Sequence, residues 1–213
     1  MKYDSFKYIY PPRAENAVPT SELEIYDNGI YLAQPKANGD CMLIFTNGIE
    51  THVMNRLKSY FSKTIKLESS FKHLHRSENG QNKWMVLVGE HMIKSKRNFT
   101  GKIWNEKLII FDIIVYNGIQ LIGKTFKERV ELLDNLYGIR GCDDKFLLKT
   151  DIDNVYRVKT FYSNFKSIFD ELVQVDMWEG LVFKRSNAPL EGGNSPNKNS
   201  SFKIRKLTKN YLY

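Results

Sequence analysis

Lys36-Ala37-Asn38-Gly39 follows a short apolar segment, Ile30-Tyr31-Leu32-Ala33, and three further segments come after it in the same sequence. Leu87-Val88-Gly89-Glu90 closes one β-rich stretch. Phe111-Asp112-Ile113-Ile114-Val115-Tyr116-Asn117-Gly118 closes the next. Glu179-Gly180-Leu181-Val182-Phe183-Lys184 is followed about 20 residues later by Ser201-Phe202-Lys203-Ile204-Arg205-Lys206. Each motif alone is common. Their order and spacing, each at a strand end, decide the reading.

Around these motifs the chain alternates short strands with two helical stretches. Ile30 to Ala33 reads as a strand that stops at Pro35. Met42-Leu43-Ile44-Phe45 and the turn Asn47-Gly48 read as a hairpin. Residues 82–93 and 107–116 are β-rich, Gly180 to Lys184 is a short apolar strand, and Phe202 to Arg205 reads as a last one. Thr125-x-x-Glu128 is a capping box that opens a helix to about Tyr137, with Gly138 as its C-cap. Phe161, Phe165, Ile168, Phe169 and Leu172 fall at helical spacing, which predicts a second helix over about 160–175. Tyr10-Pro11-Pro12-Arg13 is an extended lead-in, and Glu191 to Ser201 a polar loop. The expectation is one α+β domain of antiparallel sheets flanked by helices, spanning 1–213.

Composition narrows the function. The chain has 213 residues, 32 Lys and Arg against 24 Asp and Glu, and a net charge of +8. That charge is concentrated: residues 51–107 carry 12 basic and 4 acidic side chains, and residues 184–213 carry 7 and 1, flanking an acidic middle. Such blocks are either solvated surface or a seat for a polyanion, whose affinity comes largely from Lys and Arg. No apolar run reaches the roughly 20 residues a bilayer span needs, and no secretory leader is visible. The two cysteines, Cys41 and Cys142, form neither a disulfide framework nor a zinc pair, so a reduced, intracellular chain is expected. His73 and His75 have no third ligand in view.

The four motifs resemble those of the covalent nucleotidyltransferases: ATP-dependent DNA ligases, RNA ligases and mRNA capping guanylyltransferases. The resemblance runs from about Tyr10 to Asn210. Tyr10-Pro11-Pro12-Arg13, Gly123 to Leu133 and Arg205 to Tyr211 look most like compact viral or phage ligases. It implies an ATP-grasp-like nucleotidyltransferase fold. It also implies that Lys36 is the nucleophile that takes up AMP, and that Glu179 holds a divalent metal, Mg²⁺ or Mn²⁺. By the same resemblance Glu90 lies near the ribose and metal, Phe111 stacks on the base, and Gln34 lies by the adenine edge. Lys184, Lys203 and Arg205 would be cations around the nucleotide.

The residue types suit that chemistry. A lysine amine can attack an α-phosphate to give a phosphoramide, provided it sheds its proton. A free lysine has a pKa of about 10.4, and nearby cations lower it. The same cations would neutralise charge on the phosphates in the transition state. The plainer readings remain open beside these: Lys36 as a surface lysine, Phe111 as core, Glu90 as a strand-end charge, Glu179 as a turn cap. Asp112 is read as structural.

Two departures from the family pattern stand out. Asn38 replaces a common Asp, and Cys41 stands where an Arg is usual, so Arg56 is the candidate to contact nucleic acid in its place. Only seven residues follow Lys206, too few for an OB-fold, so three expectations stand: a minimal ligase, a second domain that lies outside this stretch, or a partner protein that supplies the clamp. The expected activity is sealing of nicked nucleic acid by a monomer with ATP, DNA slightly favoured over RNA. The rivals are a guanylyltransferase using GTP, a nucleic-acid-binding module with a dead site, and a subunit that needs a partner.

Overall fold

The computed structural model describes residues 14, 16–55, 59, 68–77, 80–93, 96–138, 141, 144–192 and 200–207. Arg56, Cys142, the Tyr10 to Arg13 lead-in and most of the 191–201 loop lie outside them. In chain order the elements are β1 (Asn16–Ala17), β2 (Tyr31–Ala37), β3 (Asp40–Thr46), β4 (Thr51–Asn55), α1 (Glu68–Phe71), β5 (Met85–Met92), β6 (Lys96–Arg97), β7 (Ile103–Trp104) and β8 (Lys107–Tyr116). They continue with β9 (Ile119–Gln120), α2 (Phe126–Leu136), β10 (Leu147–Lys149), β11 (Val155–Val158), α3 (Phe165–Leu172), β12 (Trp178–Arg185) and β13 (Ser201–Arg205).

The described residues form a four-stranded sheet, β1-β13-β12-β2, and a larger one, β10-β11-β8-β5-β3-β4, with β9 on β8 and β6–β7 as a separate ribbon. Most pairs are antiparallel, as expected. β1–β13 and β8–β11 are parallel, which the sequence did not indicate.

Strand alternation divides the apolar residues between two cores. One lies on the large sheet, where Met42, Ile44, Val88 and Ile113 meet Leu133 and Tyr137 near the end of α2. The other gathers Ala33 of β2, Leu181 and Phe183 of β12, and Phe202 and Ile204 of β13. These meet Phe165, Phe169 and Leu172 of α3, and Ile109 and Val158 of the large sheet.

Local signals held where chemistry was local. The Thr125 capping box forms as read, with Thr125 Oγ1 accepting from the Glu128 N–H at 3.2 Å and Glu128 accepting from the Thr125 N–H at 2.7 Å. Three expectations need correction. β2 does not stop at Pro35 but runs through it to Ala37. It is an edge strand of its sheet, where a residue without an N–H is tolerated. α3 is shorter than 160–175, because Phe161 pairs with Ala33 as an isolated bridge. Its N-terminus is fixed from outside: Asp27 Oδ2 accepts from the Asn164 and Phe165 N–H groups at 2.7 and 3.3 Å. Finally, the C-cap of α2 is Tyr137, not Gly138.

Candidate active site

The small sheet explains why the motif residues converge. In its antiparallel register Lys36 lies opposite Gly180, Gln34 opposite Val182, and Leu32 opposite Lys184. On the other side of β12, Gly180 lies opposite Arg205, Val182 opposite Lys203, and Lys184 opposite Ser201. Residues directly opposite share a face. One face is therefore the apolar core, and the other carries Gln34, Lys36, Lys184, Lys203 and Arg205 together. Lys36 is on the strand rather than after it.

Glu179 reaches this group through a bulge. Trp178 pairs with Ala37 and Gly180 with Lys36, so Glu179 is the extra residue on β12. Its Oε2 is 2.6 Å from Lys36 Nζ and 3.4 Å from Arg205 Nε. With its amide oriented to satisfy both neighbours, Asn38 donates to Glu179 Oε1 at 3.2 Å and accepts from Lys96 Nζ at 3.3 Å. Lys36 and Glu179 remain about one-fifth exposed, so the pair is open to a ligand.

Gly180 permits the arrangement: its φ is +150°, and a Cβ there would sit 1.9 Å from the Ile204 carbonyl oxygen. The glycine of Lys-x-x-Gly has a comparable reason. A Cβ on Gly39 would lie 2.5 Å from the His91 carbonyl oxygen. The bare glycine lets the β2–β3 turn settle on β5, where its N–H donates to Glu90 Oε1 at 3.2 Å.

Glu90 is the most perturbed carboxylate facing Lys36. Burial pushes its pKa up from 4.5 to about 7, and the neighbouring Glu179 and Asp40 carboxylates add to the rise. Lys36 and the Gly39 N–H only partly offset it. Glu90 and Glu179 thus sit close enough to repel each other, with Lys36 beside both. Among the described residues no cluster of three or more His, Cys, Asp and Glu side chains could hold a metal. Two crowded carboxylates nevertheless suit Mg²⁺, which often takes one or two carboxylates plus substrate phosphates.

A second constellation lies further along the same face. Asp112 is wholly buried between two cations. Arg129 Nε and Nη2 donate to Asp112 Oδ1 and Oδ2 at 2.8 and 3.1 Å, and Lys184 Nζ donates to Oδ2 at 3.1 Å. Burial alone would raise the Asp112 pKa. The two cations outweigh it and hold the carboxyl down at about 2. Asp112 thereby ties α2 to β12 through a buried ion cluster. Lys184 is four residues from Gly180, about 13 Å along the strand, and its Nζ lies 4.3 Å from the Phe126 ring centroid and 5.7 Å from that of Phe111.

Phe111 is itself the extra residue of a bulge, since Val88 pairs with Asp112 and Gly89 with Ile110. It is half-buried and touches both cores. Gln34 Nε2 donates to the Phe111 carbonyl at 3.3 Å and to Thr160 Oγ1 at 3.1 Å. Lys203 Nζ donates to the Ala14 carbonyl at 3.0 Å.

The structure therefore brings Lys36, Glu90, Glu179 and Arg205 into one group and sets Lys184 and Phe111 in a neighbouring one. Motif reading passed over Asn38 as a partner of Glu179, Lys96 behind it, and Arg129. Arg129 was findable: at i+3 from Phe126 and next to Val130 it falls on the buried stripe of α2, and a charge there needs a buried partner.

No family model matches the chain, and no curated protein sequence does. Solved structures do. The ligase domain from M. tuberculosis LigD superposes with a TM-score of 0.65 at 14% identity, over 96% of this chain and 62% of that one. A mycobacterial DNA ligase D complexed with ATP and MES gives 0.62 at 14%, with the same coverage. A Lig E DNA ligase gives 0.54 at 15%, over 92% of this chain and 68% of that one. This chain spans less than two thirds of either ligase D chain. At such identities the likeness concerns the fold alone: this chain is folded like the ligase domains it superposes on.

Proposed function

We propose that this chain adenylylates itself on Lys36 with ATP, passes AMP to a 5′-phosphate, and seals the nick as the 3′-hydroxyl attacks that phosphate and releases AMP, with DNA ahead of RNA as substrate. The observation that carries the reading is Lys36 Nζ at 2.6 Å from Glu179, with Arg205 on the same carboxylate and Glu90 beside it. The ligase-domain fold and the ATP complex of one neighbour support the choice of chemistry and nucleotide.

In the first step Lys36 leaves its ion pair with Glu179 and gives up a proton to bulk water. Its Nζ bonds to the α-phosphorus, the α–β phosphoanhydride bond breaks, and pyrophosphate departs. Arg205 faces the developing phosphate charge as a fixed cation. Glu90 and Glu179 are the residues that would hold Mg²⁺, which when bound neutralises phosphate charge. Phe111 offers an aromatic face to the base, and Gln34, its amide nitrogen fixed by Thr160 and the Phe111 carbonyl, flanks it.

The test is incubation with α-labelled ATP or GTP, followed by denaturing electrophoresis. An AMP adduct in the wild type that is absent in Lys36→Ala is expected. A GMP adduct alone, or an AMP adduct that survives Lys36→Ala, would overturn the reading. Joining is assayed separately, on DNA–DNA, DNA–RNA and RNA–RNA nicks, with Lys36→Ala as the control.

A further inference from the structure

We infer that Arg129, on α2 and outside the four motifs, is a positioning residue that neutralises Asp112 and so leaves Lys184 to offer its charge to the bound nucleotide. The inference rests on the proposed ATP chemistry.

The geometry is unequal in a telling way. Arg129 grips Asp112 through two nitrogens, one on each carboxylate oxygen, and anchors its third nitrogen on the Lys124 carbonyl at 2.8 Å. Such a bidentate pair is the strong form of the contact. Lys184 makes one contact to Asp112, at 3.1 Å. An ammonium has three donors; one meets Asp112 and the Phe126 ring face lies 4.3 Å away, so at least one remains. One carboxylate between two cations leaves a surplus of one positive charge, almost wholly buried, since Lys184 is 6% exposed and Arg129 4%. Burial pushes the Lys184 amine below its ordinary value, and Arg129 pushes it further, against the pull of Asp112.

A buried surplus charge is expensive unless a partner completes it. The side chain beside it that the nucleotide reading uses is Phe111, 5.7 Å away, where the base would stack. Lys184 would then donate to a lone pair on the purine edge. Without Arg129, Asp112 and Lys184 would form a closed neutral pair, and the ammonium would turn to the carboxylate rather than to the nucleotide.

Charge alone then predicts a rescue. Arg129→Met removes the surplus and should raise the half-saturating ATP for Lys36 adduct formation about tenfold, the loss expected of one charge-assisted hydrogen bond. Arg129→Met combined with Asp112→Asn restores the net charge and should recover most of that loss. A residue that merely braces α2 would give the opposite order, with the double variant at least as impaired as the single. The four proteins (wild type, both single variants and the double) are compared for ATP dependence of labelling, with thermal melts to confirm folding. Labelling of Arg129→Met at wild-type ATP dependence, or a double variant no better than the single, would overturn the inference while the wild-type adduct leaves the ligase reading standing. A wild type that forms no adduct would overturn both.

Discussion

Glu90→Gln should make the protein more stable at alkaline pH while disabling its site. The carboxyl is held at about 7 against an ordinary 4.5. A folded-state pKa above the unfolded one means the folded chain binds more protons over that interval. Stability therefore falls as pH rises from 4.5 to 7, and stays low above it. Gln resembles the protonated acid, so the variant escapes this loss. A pKa difference of 2.5 at 1.36 kcal/mol each gives about 3 kcal/mol, and solvent screening of a half-buried group brings the expected gain to about 1–2 kcal/mol. For a chain of this size that is a rise in Tm of about 5 °C.

The assay is thermal and urea unfolding of both proteins at pH 5 and pH 8, with a chelator and no nucleotide. The gain should be small at pH 5, large at pH 8 and level beyond. Labelling with ATP should fall in the same variant, since the neutral amide is a poorer metal ligand. A variant no more stable than wild type at pH 8, or one whose gain is the same at both pH values, would refute the account of Glu90 as a crowded, buried carboxylate.

Two further outcomes are expected. Gly180→Ala places a methyl 1.9 Å from the Ile204 carbonyl oxygen at a φ of +150°. It should cost more than about 3 kcal/mol and abolish labelling, because β12 must part from β13 where Glu179 is aimed; denaturant melts and ATP labelling check both. Asp27→Ala removes the carboxylate that accepts two N–H groups at the start of α3. It should lower stability by about 1–2 kcal/mol, read as a lower urea midpoint at unchanged slope, with ATP labelling intact.

Much of the site was legible because its signals are local. Lys36, Gln34, Lys184, Lys203 and Arg205 share a face through strand alternation, which has a period of two in any register that keeps the apolar residues inward. The Thr125–Glu128 cap needs only four consecutive residues. Pairing across distance was less legible. Pro35 suggested a strand end because the sequence does not say that β2 lies at an edge. Phe161 fits helical spacing with Phe165, yet its backbone is taken by Ala33. Arg129 drew no reading from the sequence and Asp112 was read only as structural; only the packing of α2 against the large sheet joins them.

The sequence alone determined the chemical inventory and its order: a lysine before a glycine, two strand-end carboxylates, an aromatic run, and a basic pair at i and i+2. Those choices sit in neighbouring residues, and local sterics and alternation express them. Only the tertiary structure decided which of these groups meet. Glu179 and Phe111 are aimed by bulges, each one residue long on one strand and absent from its partner, so the shift exists only once two strands are paired. The high pKa of Glu90 and the low one of Asp112 likewise belong to no residue by itself. They follow from which charges the fold buries side by side, and how deeply.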